Sequence, residues 1–126
     1  MGIPPEKYSI RREEIEVFNI EETMPRVEEA RKILIEKLKN ARGRGVKVLK
    51  IIHGYGSSGV GGALRLALRD SLLRRRKEGS VTNIIFGENW SISEANTRSA
   101  LQQWPELRKD SDLNRSNRGI TLVFLS

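Results

Sequence analysis

Apolar residues recur along this chain with two different periods, and each change of period marks the edge of an element. From Glu14 to Ile20 the stretch EIEVFNI alternates, with Ile15 and Val17 on one side and Glu16 and Phe18 on the other, as in a half-buried strand. Val27, Ala30, Ile33, Leu34, Leu38 and Ala41 then fall at helical spacing, after a start signal at Thr23 and Pro25 and before a stop at Gly43 and Gly45. The run Val46 to Ile52 breaks its apolar character only at Lys47 and Lys50, which predicts a central strand covered on both faces or nearly so. A glycine-rich stretch follows, and helical spacing returns near Gly62. Leu64, Leu68 and Leu72 make one stripe there, and Arg65, Arg69 and Arg76 make another. Gly79 closes that helix, VTNIIF (81–86) reads as a third strand and ITLVFL (120–125) as a last one.

Between the last two strands, Ser91-Ile92-Ser93-Glu94 matches a capping box and predicts a helix from about Ile92 to Gln103, ended by Pro105. The order β-α-β-α-β-(α)-β predicts a single two-layer α/β domain over residues 14–126 with a small mixed sheet. Residues 88–118 read as an insertion and 1–13 as a flexible N-terminal arm. Trp104, beside Leu101 and Leu107, reads as an anchor of that insertion; Trp90 is open between packing and stacking on a base. Asp110 and Asp112, like Glu88 and Glu94, read as surface carboxylates.

Composition narrows the function. The absence of cysteine excludes disulfides and thiolate metal sites. No apolar run approaches the roughly 20 residues that span a bilayer, so a cytoplasmic protein without membrane contact is expected. No Asp/Glu/His cluster has metal-ligand spacing, and neither a metal nor a cofactor is expected. The net charge of +7 is unevenly spread: residues 42–77 carry 10 Lys/Arg against 1 Asp/Glu, while the flanking segments are each slightly acidic. That block contains the glycine-rich loop and the helix after it, so a phosphate-directed loop and positive charge coincide in sequence, and DNA or RNA is the expected partner.

His53, at the end of the second strand, is the only histidine. An imidazole there suits proton transfer at a phosphodiester, with Glu16, Tyr55 or Arg65 as a second group; the plainer reading is a histidine that caps a buried strand. Five glycines lie between Gly54 and Gly62, and the backbone of Gly54, Tyr55, Gly56, Ser57, Ser58, Gly59 and Gly62 could approach a phosphate at a helix N-terminus. Arg65 and Arg69, on the first turns of that helix, are the expected contacts to phosphate. Gly54 to Gly59 also spells G-x-G-x-x-G, so a nucleotide-binding enzyme is an alternative. No acidic residue ends a following strand at the spacing a dinucleotide site needs, and no Lys-Ser/Thr pair of a Walker loop is present.

The block IIHGYGSSGVGGALR resembles the second signature of the small MutS-related (Smr) domain, a strand ending in His-Gly-x-Gly with a glycine-rich turn into a helix that opens with Leu-Arg. The matching residues are His53, Gly54, Gly56, Leu64 and Arg65. VEEARKILIEKLKNARGRGVKVLKII is similar to the family's first helix and second strand, and GITLVFL to its closing strand. The resemblance implies a small α/β domain that binds DNA or RNA and, in many members, cleaves it as an endonuclease. The family's first signature, Leu-Asp-Leu-His, corresponds here to Ile15-Glu16-Val17-Phe18. Glu16 could replace the Asp, but Phe18 cannot do histidine chemistry. The expectation is therefore a nucleic-acid-binding domain, with cleavage through His53 and Glu16 as its enzymatic form. A non-catalytic nucleic-acid or ribosome-binding module is the alternative, and the oligomeric state is open.

Overall fold

The computed structural model describes residues 14–23, 26–54 and 60–126. The expected arm at 1–13 and the loop residues Tyr55, Gly56, Ser57, Ser58 and Gly59 lie outside them. Strand β1 is Ile15–Asn19, helix α1 Val27–Gly43, strand β2 Val48–Ile52, helix α2 Val60–Glu78 and strand β3 Val81–Phe86. Helix α3 is Ala95–Gln103 and strand β4 is Ile120–Leu125. One-turn 3-10 helices cover Glu21–Thr23, Gly87–Asn89 and Pro105–Lys109.

The four strands form one mixed sheet in the order β1-β2-β4-β3. β1 runs parallel to β2, and β4 is antiparallel to both β2 and β3. β1, β2 and β3 therefore share a direction, and their carboxyl ends lie along one edge of the sheet. β2 and β4 are central, which explains why every residue of β4 and four of the five in β2 are buried. The apolar stripes read from sequence face one side of the sheet. Leu34 and Leu38 of α1 and Leu64, Leu68 and Leu72 of α2 pack with Leu49, Ile51, Ile84 and Val123. Each such side chain, fully buried, is worth about 1.5–3 kcal/mol.

Residues 88–118 pack on the opposite face. Trp90, Leu101 and Leu107 are buried against Val48, Ile85, Ile120, Leu122 and Phe124, so this segment adds a cover to the layers of sheet and paired helices. It is also pinned by charge. Lys50 Nζ lies 2.6 Å from both Asp110 Oδ1 and Asp112 Oδ2, with only 8% of its side chain exposed. Trp90 Nε1 donates to the other oxygen of Asp110 (2.9 Å), and Asn117 Nδ2 donates to Asp112 Oδ1 (2.9 Å). Burial alone would push the lysine down and Asp112 up. The two carboxylates outweigh it for Lys50, which is raised, while Asn117 and Lys50 outweigh it for Asp112, which is lowered. Asp110 and Asp112, expected as loose surface carboxylates, are thus the counter-ions of a buried lysine.

Three element boundaries differ from expectation. α1 starts at Val27 with Arg26 as its cap residue, while Thr23 belongs to the preceding 3-10 turn. α2 starts at Val60, so Gly61 and Gly62 form its first turn rather than the loop. α3 starts at Ala95, because the Ser91 hydroxyl pairs with that of Ser93 (2.9 Å) instead of closing a capping box with Glu94. The glycine stops hold: Gly45 (φ 84°) and Gly79 (φ 93°) take the left-handed conformation that lets the chain leave α1 and α2.

Candidate nucleic-acid interface

Of the expected site residues that are described, His53, Gly54, Gly62, Arg65 and Arg69 lie toward the carboxyl edge of the sheet. β1 runs out into Ile20, Glu21 and Glu22, β2 into His53 and Gly54, and β3 into Gly87 and Glu88, with the start of α2 over the same edge. The end of β2 is held by one carbonyl, that of Gly119, which accepts from the backbone N–H groups of both His53 (2.9 Å) and Gly54 (3.1 Å). Gly54 turns the chain with φ 73°, a conformation that favours glycine. The Glu21 carboxylate lies over Gly54: a methyl group placed there would meet Glu21 Oε2 at 2.7 Å.

His53 is 2% exposed, and both ring nitrogens are engaged. A carbonyl can only accept, so Nδ1–H donates to Gly54 O at 2.6 Å; Nε2 lies 2.9 Å from Thr121 Oγ1, whose hydroxyl donates to it when the ring is neutral. Burial pushes its pKa below the ordinary value of 6.5, against the Gly54 carbonyl, and the charges of Arg69 and Arg65 push the same way. Through these two contacts the ring links the end of β2 to β4.

Glu16 is not its partner. In the parallel register it lies beside Leu49, four positions before His53, or about 13 Å along the strand. Its carboxylate is taken by α1 and the turn after it: Lys37 Nζ at 2.7 Å, and Arg44 through two bonds of 3.0 and 3.1 Å. These bonds, Arg44 first, outweigh burial and hold the acid below its usual range. Glu16 is therefore engaged by α1 and the turn after it, away from His53. Phe18 packs against the helix-side core, with Lys37 Nζ 5.1 Å from its ring centre.

Arg65 and Arg69 differ from each other. Arg69 bonds Glu88 Oε1 through Nη2 (2.5 Å) and lies over the Phe86 ring, 4.1 Å from its centre, so it is already neutralised and stacked. Burial pushes Glu88 up, but Arg69 outweighs it and the acid is lowered. Arg65 has no carboxylate within 4 Å among the described residues, and its buried Nε–H has no acceptor. Gly62, half-buried, sits in the first turn of α2.

The charge excess separates in space. Of the ten cations in residues 42–77, Arg44, Lys50, Arg69, Arg74 and Arg75 each have a carboxylate within 4 Å among the described residues. Arg42, Lys47, Arg65, Arg76 and Lys77 have none. Of these five, only Arg65 stands toward the carboxyl edge, close enough to Glu88 for its charge to help lower that acid. Arg42, Arg76 and Lys77 stand where α1 and α2 finish and Lys47 where β2 begins, at the opposite end of the sheet. Arg69 and Lys50, both counted toward a phosphate-directed patch, spend their charge internally. Among the described residues no group of three or more His, Asp or Glu is placed to hold a metal ion, and no helix is long and apolar enough to cross a membrane.

A mixed four-stranded sheet with paired helices on one face and residues 88–118 on the other defines a small α/β domain. The family model of the Smr domain matches residues 23–88, just over half of the chain, and the chain belongs to that family. Smr domains generally bind nucleic acid, and some members are nicking endonucleases. The fold is similar to that in the crystal structure of the Smr domain of Thermus thermophilus MutS2. The TM-score is 0.52 at 23% identity over 88% of this chain and 96% of that one. No curated protein matches the sequence.

Proposed function

We propose that this Smr domain is a sequence-independent nucleic-acid-binding module that acts on RNA or DNA in the cytoplasm and does not cleave through His53. The observation that carries the reading is the set of five cations, Arg42, Lys47, Arg65, Arg76 and Lys77, that have no carboxylate within 4 Å among the described residues, half of the cations of the basic segment. Cations left unpaired by the fold attract a polyanion and release its counter-ions on contact. Cleavage is the less supported form of the reading. His53 would have to give up Gly54 or Thr121 to handle a proton, and Glu16 is held elsewhere. The loop 54–59 and Gly62 remain proposed contributors of backbone N–H groups toward phosphate.

The test is a native gel of the protein with structured RNA and with supercoiled DNA at about 50 and 200 mM salt, read for shifted and for cut species. The expected result is a shift that weakens steeply with salt and no cut. Cutting by the wild type that is lost in a folded His53→Gln variant would replace the module by a nuclease. Thermal stabilisation by millimolar nucleotides without any gel shift would favour the nucleotide-enzyme alternative.

A further inference from the structure

The end of the domain opposite the glycine loop carries a cavity of about 180 Å³ between the last turns of α1 and α2. Its floor is apolar: Ile35 and Leu38 from α1 and Leu125 from the end of β4. The rest of its lining is polar: Lys39 and Arg42 on α1, and Arg75, its ion-pair partner Glu78 and Ser80 on the other side, so Lys39 and Arg42 supply the rim's uncompensated charge among the described residues. One water needs only about 10–15 Å³ of such space, so the hollow admits a group much larger than a single water. Lys39 and Arg42 are exposed and have no carboxylate within 4 Å among the described residues. Arg75 gives Nη1 to Glu78 and leaves its buried Nε–H without an acceptor.

Cations at a helix C-terminus complement the dipole, and that would explain Arg42 and Arg75 singly. It does not explain an apolar hollow between them, nor why four of the five cations of the basic segment without a carboxylate partner among the described residues stand at this end. An apolar floor with a cationic rim recognises a ligand that is flat and uncharged on one side and anionic on the other.

We propose that this cavity is a nucleotide-binding site that takes one unpaired nucleotide of a bound strand, its base on Ile35, Leu38 and Leu125 and its phosphate on Lys39 and Arg42. The proposal rests on the nucleic-acid-binding reading and sharpens it. A base inside a duplex cannot leave its stack without loss, whereas an unpaired one is free to turn into a pocket. The domain therefore prefers strands with unpaired nucleotides over blunt duplexes.

The experiment measures fluorescence anisotropy with a labelled 12-nucleotide single strand of uridines and a blunt 12-base-pair duplex, at one salt concentration. The wild type and the variants Ile35→Phe, Arg42→Glu and Arg65→Glu are compared, each with its melting temperature. The expected result is at least tenfold tighter binding of the single strand by the wild type. Ile35→Phe, which fills the hollow, should erase that preference and leave duplex affinity in place. Arg42→Glu should weaken the single strand more than Arg65→Glu does. Equal affinities for strand and duplex in the wild type, or a folded Ile35→Phe that keeps the preference, would overturn the pocket while leaving the binding module standing. Failure of the wild type to bind either probe would overturn the binding reading itself.

Discussion

His53, the only histidine of the chain, has both ring nitrogens engaged in the structure. Its native pKa lies below 6.5, so under that pH the unfolded chain binds more protons than the native one. Stability assigned to His53 is therefore complete above pH 6.5 and is lost as the pH falls below it toward the native value. Urea unfolding between pH 7.5 and 5.5 should show this decline, and His53→Gln should flatten it; an unchanged slope in the variant would place the proton elsewhere. Glycines can be ranked in the same way. At Gly87 a methyl would lie 1.7 Å from Asn117 O and 2.8 Å from Ile120 O, both backbone atoms of the turn into β4. At Gly54 the obstacle is the end of the exposed Glu21 side chain, which can swing away, leaving a left-handed backbone penalty of about 1–2 kcal/mol. Gly87→Ala should thus cost about 3 kcal/mol, at the upper range for overpacking, and Gly54→Ala clearly less, as read from denaturant midpoints.

Among the elements, the strands and two long helices were legible because local periodicity and burial agree. The run Val46 to Ile52 is apolar on both sides because helices cover one face of β2 and residues 88–118 the other. What periodicity could not supply was the partner of Lys50, sixty positions away, since a lysine within an apolar strand looks the same whether it snorkels to solvent or meets a buried acid. The capping box failed for a related reason: Ser91 had a closer hydroxyl at Ser93. The pin predicts a measurable coupling. Lys50→Met leaves Asp110 and Asp112 beside each other without a cation, a change that costs about 3 kcal/mol when such a pair is well buried and less here, where Asp112 is partly exposed. Both tryptophans of the chain, Trp90 and Trp104, lie in the pinned segment. Their fluorescence in Lys50→Met should therefore report loosening of residues 88–118 before circular dichroism reports loss of α1 and α2. Adding Asp110→Asn and Asp112→Asn should recover part of the loss. Simultaneous transitions in all variants would mean that this segment and the helices unfold as one unit.

At the scale of the whole molecule, the candidate site was only half legible, and geometry says why. The basic residues are neighbours in sequence, but along α2 Arg65 and Arg76 are separated by about 17 Å of helix, which sets Arg65 toward the carboxyl edge and the Arg76-Lys77 pair toward the opposite end. Gly54 and Gly62, which bracket the glycine-rich stretch, and most of the cations without a described partner are then in two different places. Pairing sorts them further, because Arg69 is bound by Glu88 and Lys50 by two aspartates. The salt dependence of binding reads this arrangement directly. On a duplex each phosphate neutralised contributes about −0.9 to the slope of log affinity against log salt. Arg42→Glu with Arg76→Glu should therefore flatten the slope by about 2, and Arg65→Glu by no more than about 1. Arg69→Gln should leave it nearly unchanged, because that guanidinium has already spent its charge on Glu88. If Arg65 and Arg69 instead dominate the slope and the distal pair has no effect, then the polyanion sits on the glycine loop, and the Arg69 ion pair must open to receive it.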